Sequence, residues 1–372
     1  MPDKIIPVFT PYLAPSAKQN LLDCIESGWI SSGGVFVNQF EKAWANKCNV
    51  EFGIAVNSGT SALEIAVRAL ELDQDAEIIL PSYTIISCAS AILNAGCTIS
   101  LVDVDPDTWC LNIDQVKDKI TNKTQAIMPV HMFGHPANMS EIMTLARSHS
   151  LKIIEDAAEA HGALVDGRVV GGIGDMGCFS FYANKIITTG EGGMVVTDND
   201  VLAQRLYSYR NLCFNSERRF LHHKIGHSYR MTNMQGAIGL SQIDHLDKTI
   251  AAKRNLAKKY TAALKNIDEI SLPIEKNYAT NVFWMYGIVL SDNIKLDAES
   301  LAKRLRTKGI DTRPFFLGMH EQPVLKQRGL FVNEKYPITE KLSRKGLYLP
   351  SGTNLSHKEI ERVCNAIKES LD

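Results

Sequence analysis

The chain has 372 residues, of which 45% are hydrophobic and 22% charged, and 40 basic residues against 41 acidic ones leave a formal net charge of -1. That balance is ordinary for a globular protein and offers no basis for a nucleic-acid partner or a membrane-surface partner. No apolar run approaches the ~20 residues of a membrane-spanning helix, and Met1-Pro2-Asp3-Lys4 opens no signal-peptide pattern, so the expected location is cytoplasmic.

Taken along the chain, residues 5–10 read as extended, and Pro15–Ser27 and Val35–Cys48 as helices separated by a glycine-rich turn. Strands are expected at Phe52–Val56, Glu77–Leu80, Thr98–Val102, Ala126–Val130, Leu151–Glu155, Gly177–Ser180 and Met194–Thr197. They alternate with expected helices at Ser61–Glu71, Ile86–Ala95, Ser140–His149 and Asp200–Arg210. Apolar strands alternating with helices predict an α/β fold, with a mostly parallel central sheet covered by helices on both faces. A ligand then belongs at the strand ends. A long helix is expected from near Met234, with a domain change near residue 248. The large domain would cover 15–247 and a smaller α+β C-terminal domain 248–372, with residues 1–14 as an arm that can join it. In the smaller part Phe283–Leu290 reads as a strand, and Ala298–Lys308 and Ser356–Leu371 as helices. The basic cluster Lys253-Arg254 with Lys258-Lys259 reads as a solvated helix face. The eight cysteines form no C-x-x-C pair and read as reduced core residues. His222-His223 and His227 attract no cysteine or carboxylate cluster, so no metal site is expected.

Three segments carry chemistry. Asn57-Ser58-Gly59-Thr60-Ser61-Ala62 follows a strand and opens a helix. Unpaired N–H groups and the helix dipole there attract a phosphate, Gly59 lets it approach the backbone, and Thr60 adds a hydroxyl. Taken alone, the segment reads equally well as an ordinary N-cap. Ile153-Ile154-Glu155-Asp156 places a carboxylate at the end of an apolar strand, and Phe179-Ser180-Phe181-Tyr182-Ala183-Asn184-Lys185 places a lysine in a polar turn with a serine nearby. Separately, Asp156 could cap a helix and Lys185 could be a solvated loop lysine. Combined with a phosphate site, they are what pyridoxal phosphate requires: an amine to carry its aldehyde and a carboxylate to pair with its protonated ring nitrogen. Arg230 and Arg313 are candidates for anionic groups of a substrate, since a guanidinium suits bidentate anion binding, and each is equally open to a structural ion pair.

These segments together resemble the DegT/DnrJ/EryC1/StrS family of sugar-nucleotide aminotransferases, fold-type I enzymes that use pyridoxal 5'-phosphate. The likeness extends from Ser27-Gly28-Trp29-Ile30-Ser31-Ser32-Gly33 through Glu155-Asp156-Ala157-Ala158-Glu159-Ala160-His161-Gly162 and Gly190-Glu191-Gly192-Gly193 to Tyr229-Arg230-Met231-Thr232-Asn233 and Thr312-Arg313-Pro314-Phe315-Phe316. The resemblance implies an aspartate-aminotransferase-like fold and amino transfer from glutamate to a keto nucleotide sugar. Glu159 in place of glutamine, the Asn184-Lys185 pair and the Arg313-Pro314-Phe315-Phe316 run are most like the branch that aminates C4 of GDP-4-keto-6-deoxy-mannose to GDP-perosamine, used in O-antigen synthesis. Another nucleotide sugar, carrying dTDP or UDP or aminated at C3, stays open. A dehydratase branch has histidine in place of the lysine, and Lys185 speaks against it; near-neutral charge speaks against a non-catalytic cofactor-binding regulator, which would carry a DNA-binding module.

By the same resemblance, Lys185 would hold the cofactor and shuttle the proton, Asp156 would bind the ring nitrogen, Glu159 would lie near the ring hydroxyl, and Gly59, Thr60 and Ser180 would hold the phosphate. A homodimer is implied, its partner completing the phosphate site from the loop before Tyr229. Two departures stand out. Ser228 occupies the place of an asparagine in that loop, and Ile85 that of an aromatic that stacks on the ring, leaving Tyr83 as the nearest aromatic to stack or else to point into the core.

Overall fold

The computed structural model describes residues 5–215 and 217–371; the opening Met1-Pro2-Asp3-Lys4 lies outside the described residues, as do Ser216 and Asp372. Helices α1 (Ser16–Ser27) and α2 (Val35–Cys48) precede the sheet. Then come β1 (Phe52–Val56), α3 (Gly59–Leu70), β2 (Glu77–Pro81), α4 (Ile86–Asn94), β3 (Thr98–Val102), α5 (Ile113–Lys119), β4 (Thr124–Ile127), α6 (Met139–His149) and β5 (Lys152–Asp156). A hairpin of β6 (Leu164–Val165) and β7 (Arg168–Val169) leads to β8 (Met176–Ser180), β9 (Gly193–Thr197) and α7 (Asp200–Arg210).

Seven of these strands form one sheet in the order β1-β9-β8-β5-β4-β2-β3. Pairing is parallel from β3 to β8, and β9 runs antiparallel to both of its neighbours. Helices cover both faces, so residues such as Ile54, Ile78, Ile79, Ile153, Ile154 and Phe179 are fully buried. This is why the strands read as apolar runs and not as alternating patterns. The eight cysteines are unbridged and buried. No described helix is long and apolar enough to cross a membrane.

The helix expected from near Met234 is broken in two. A capping box closes the start of α8 (Asn233–Gln242): the Thr232 side chain accepts from the Gln235 N–H, and the Gln235 side chain accepts from the Thr232 N–H. A 3-10 turn at Ile243–His245 then separates it from α9 (Leu246–Leu264). Beyond lie β10 (Ile270–Ser271), β11 (Ala279–Thr280), β12 (Tyr286–Leu290), α10 (Ala298–Thr307), β13 (Arg313–Pro314), α11 (Pro323–Lys326), α12 (Pro337–Lys345), β14 (Gly346–Leu349) and α13 (His357–Leu371). A second sheet, antiparallel throughout, has the order β10-β12-β14-β13. β11 instead joins the β6–β7 hairpin. A second apolar cluster gathers Leu256, Tyr260, Leu290, Leu301 and Ile367 with Ile6 from the N-terminal arm.

The basic cluster of α9 divides. Lys258 and Lys259 are exposed, as a solvated face requires. Lys253 is 1% exposed and shares the buried stripe of Leu256, Ala257 and Tyr260, so the solvated reading fails for this residue. Its spacing of three and four from apolar positions places it on the inward face.

Candidate active site

A cavity of about 390 Å³ opens at the carboxyl ends of the parallel strands, where a ligand site belongs in such a sheet. Its floor begins at the turn from β1 to α3. Ser58 caps the helix, its Oγ accepting from the Ser61 N–H at 3.1 Å. Gly59 is required by close approach: a Cβ there would lie 2.7 Å from the Cβ of Ser180 at the end of β8. Thr60 Oγ1 lies 2.8 Å from Ser87 Oγ at the start of α4, which adds a second hydroxyl beside the helix terminus. The amide groups and hydroxyls gathered there suit a phosphate.

Glu155 and Asp156 are neighbours on β5 with opposite duties, because successive side chains of a strand point to opposite faces. Glu155 is fully buried and accepts from the N–H groups of Gly171, Ile173 and Gly174 at 2.7–2.8 Å. His131 Nε2 also lies 3.0 Å from its carboxylate. His131 Nδ1 accepts from the Ala137 N–H, so Nε2 carries the proton and donates to Glu155. The His131 hydrogen bond and these N–H groups outweigh burial and hold the Glu155 carboxyl below the usual range. Asp156 faces the cavity. One of its oxygens accepts from the Ala158 N–H at 3.1 Å, and the other from the Cys88 thiol at 3.0 Å. Burial, reinforced by Asp156, pushes that thiol well above its ordinary pKa and keeps it a donor.

Lys185 closes the site. Its N–H donates to the Tyr182 carbonyl at 2.9 Å, which tightens the turn that carries it. Its Nζ stands 3.8 Å from Glu159 Oε1 and 3.9 Å from the centre of the Trp284 ring. Burial lowers the pKa of Lys185, opposed by Glu159 and Asp156, while burial raises Glu159 to about 7, opposed by Lys185 and by the Phe133 N–H that donates to it at 2.9 Å. His161 Nε2 donates to the Ser180 carbonyl at 2.9 Å, and burial, with Lys185 second, holds His161 neutral with a pKa lowered to about 3.

Gly59, Thr60, Asp156, Glu159, Ser180 and Lys185 thus line one cavity. Tyr83 does not. Its side chain is fully buried and packs on Phe133, Phe315 and Phe316 at ring distances of 5.9–6.3 Å, and Ile85 lines the cavity in its place. Strand-end geometry turns residue 83 toward the aromatic core, the second of the two orientations open to it from the sequence. Ser228 and Arg230 lie outside the cavity of their own chain, and Arg230 donates to Asn211 Oδ1 and Ser228 Oγ. Arg313 is exposed and paired with Asp311 at 2.9 Å, although β13 sets it opposite Tyr348, which lines the cavity. Trp284, Phe316 and Tyr348 form an aromatic wall from the C-terminal part of the chain. Phe316 falls in a segment noted for its likeness. Trp284 and Tyr348 carry no motif, and only the fold brings them to the site.

The residues fit pyridoxal phosphate. A helix terminus with an obligatory glycine faces Ser180, a buried lysine has a depressed pKa, and Asp156 is a buried carboxylate with no ion-pair partner within 4 Å among the described residues. A buried carboxylate without a cation calls for one, and a protonated ring nitrogen would supply it.

The DegT/DnrJ/EryC1/StrS aminotransferase family model matches residues 11–368. GDP-perosamine synthase of Escherichia coli O157:H7 is 39% identical over 98% of both chains, and that of Caulobacter vibrioides 38% identical over 98% of both. Among solved structures, S. venezuelae DesV superposes with a TM-score of 0.88 at 30% identity, covering 98% of this chain and 99% of its own.

Proposed function

The chain belongs to the DegT/DnrJ/EryC1/StrS aminotransferase family, and from that premise we propose that it transfers the amino group of glutamate to C4 of GDP-4-keto-6-deoxy-mannose, giving GDP-perosamine. It is a pyridoxal-phosphate-dependent sugar aminotransferase of fold type I. The acceptor rests on the relatives named GDP-perosamine synthase at 38% and 39% identity across nearly the whole chain. The observation that carries the chemistry is Lys185 Nζ at 3.8 Å from Glu159 in a cavity shared with Asp156 and the start of α3.

When bound, pyridoxal phosphate supplies an aldehyde that takes up the amine and a ring that withdraws electrons from the reacting carbon. In our reading Ser58, Gly59, Thr60 and Ser180 hold the phosphate at the positive end of α3. Asp156 keeps the ring nitrogen protonated, since a buried carboxylate favours an adjacent cation. Cys88 and the Ala158 N–H fix the orientation of that carboxylate. Lys185, lowered in pKa by burial, is suited to take a proton from the donor's α-carbon and return one to the acceptor carbon. Glu159 stands next to Nζ and can hold or release a proton near neutral pH. In the same reading Trp284, whose ring centre lies 3.9 Å from Nζ, shields that side of Lys185 from water. Ser228 and Arg230, which lie outside their own cavity, serve in this reading at the partner's site in a cytoplasmic homodimer.

The test is to convert the enzyme to its amine-bearing form with glutamate, then offer GDP-, dTDP- and UDP-linked keto sugars and follow the cofactor absorbance. Recovery with GDP-4-keto-6-deoxy-mannose alone supports the proposal. Recovery with a dTDP or UDP sugar keeps the family and overturns the acceptor. Lys185→Ala is expected to abolish turnover, by at least ~10³-fold given what a positioned general base contributes; transamination retained by that variant contradicts the role given to Lys185.

A further inference from the structure

Lys253 is a lysine on a buried stripe, and its surroundings are unusual in being neutral. Its Nζ donates to the Trp284 carbonyl at 2.8 Å and to the Ser351 carbonyl at 2.5 Å, and lies 4.8 Å from the centre of the Phe9 ring. No carboxylate pairs with it among the described residues, and burial alone lowers its pKa to about 7. A buried amine without a counter-ion is costly to keep, so its value lies in what it joins.

Four segments meet at this nitrogen. α9 carries it. The N-terminal arm supplies Phe9, and the Val8 carbonyl beside it accepts from the Ser351 N–H at 2.7 Å. The Ser351 hydroxyl accepts from the Tyr286 N–H at 3.0 Å at the start of β12 and donates to the Leu349 carbonyl at the end of β14. The fourth segment is the one carrying Trp284, and Trp284 faces the active site: its indole Nε1 donates to the Asn184 carbonyl at 2.7 Å, and its ring lies under Lys185 Nζ. One side of residue 284 is therefore tied to Lys253 and the other to the turn that presents Lys185.

We propose that Lys253 is a positioning residue: by holding the Trp284 backbone it seats the indole against Lys185 and keeps water from that amine. This rests on the reading of Lys185 as the reacting amine and is independent of which nucleotide sugar is used.

The charged groups that face Lys185 are Glu159 and Asp156, with His161 held neutral behind them. Burial is the largest influence on Lys185, and the two carboxylates oppose it. A loosened wall admits water and moves the titration of Lys185 back up toward that of an ordinary lysine. The experiment uses the full-length chain stripped of cofactor. Acetic anhydride at trace level modifies lysines across a pH series, and mass spectrometry reads the extent at Lys185. Wild type, Lys253→Met, Lys253→Gln, Trp284→Phe and the doubles are compared, with circular dichroism and melting as the check on folding. We expect the Lys185 midpoint to rise by about half a pH unit or more in either Lys253 variant, and the double variants to show no rise beyond that of Trp284→Phe alone, since residues acting through one contact are not additive. In the holoenzyme, kcat is expected to fall by about tenfold with little change in the KM for the sugar. An unchanged Lys185 midpoint in a folded Lys253 variant overturns the proposal, as do additive shifts in the doubles. Lys253→Gln retains a donor and keeps the test open should Lys253→Met fail to fold. Failure of the sugar panel leaves this result standing, because no substrate enters it.

Discussion

At Glu159 a single carboxyl links the stability of the protein to pH. Burial lifts its pKa to about 7 in the folded chain, with Lys185 pulling the other way. The folded state thus holds this proton more tightly than the unfolded state does. The stabilisation is fully present below the ordinary carboxylate pKa and is lost as pH rises through about 7. Glu159→Gln removes the titration. Thermal melts of the cofactor-free protein should therefore drop less for the variant than for wild type as pH rises from about 5 to about 8, a difference bounded by roughly 3 kcal/mol from the size of the shift. Parallel pH dependence in the two proteins would contradict the raised pKa. At this scale the sequence was most legible where chemistry demands a residue type in a strand-end or helix-start setting, as with Lys185, Asp156, Gly59 and Thr60. It was least legible where side-chain direction decides. Tyr83 has an aromatic neighbour's credentials and points away from the cavity. Lys253 looks like any helix-surface lysine until the burial of its stripe is known.

Among the elements, β5 shows how one strand serves packing and site together. Glu155 gathers the N–H groups of Gly171, Ile173 and Gly174 and the His131 ring, so the loop between β7 and β8 is pinned to the strand that presents Asp156. Glu155→Gln offers an amide where three N–H groups and an imidazole N–H converge, and its own NH₂ group then meets a donor. We expect a loss of about 3 kcal/mol or more, the scale of breaking charged hydrogen bonds in a buried site, read by urea unfolding with circular dichroism; wild-type stability would contradict it. The apolar β-strands were legible within about three residues, β4 ending at Ile127 and not Val130 and β12 starting at Tyr286 and not Phe283, because burial on both faces leaves unbroken hydrophobic runs. The break between α8 and α9 was not, since Ile243, Asp244 and His245 include neither glycine nor proline. α5, α12 and β14 escaped for a related reason: they are short, and tertiary contacts hold them where local pattern does not. α12 is one such case, its first N–H groups being capped from afar by Asp103, which accepts from Ile338 and Thr339 at 2.9 Å.

Over the whole molecule, α9 runs from one apolar cluster into the other, with Leu246 in the first and Leu256 in the second. We propose the domain change near residue 248 on that ground. The aromatic wall of the cavity comes from beyond that point. Several large apolar side chains are left in water by the single chain, among them Trp29, Val35, Phe220 at 79% and Ile225 at 86% exposure. We propose that a second copy of the chain covers them, which the exposure of these side chains in the single chain would suit. Sedimentation of the wild type should give about twice 41.2 kDa, and Ile225→Asp should weaken the dimer and the hold on the cofactor together. A monomeric wild type would contradict both this and the part assigned to Ser228.

Strand β9, which runs against the other six strands of the large sheet, sets a timetable for synthesis. β1 and β9 are adjacent in the sheet, with Val56 opposite Gly193, yet the ribosome delivers one long before the other. The turn after β1, which we propose holds a phosphate, packs with Gly59 close against Ser180 and with the backbone of Gly193 close against Ser58. A nascent chain carrying the earlier strands alone has the amide groups and no opposing wall. Pairing over such sequence distance is slow, so the cradle proposed for the phosphate is expected to close late in folding, after both β1 and β9 have been made.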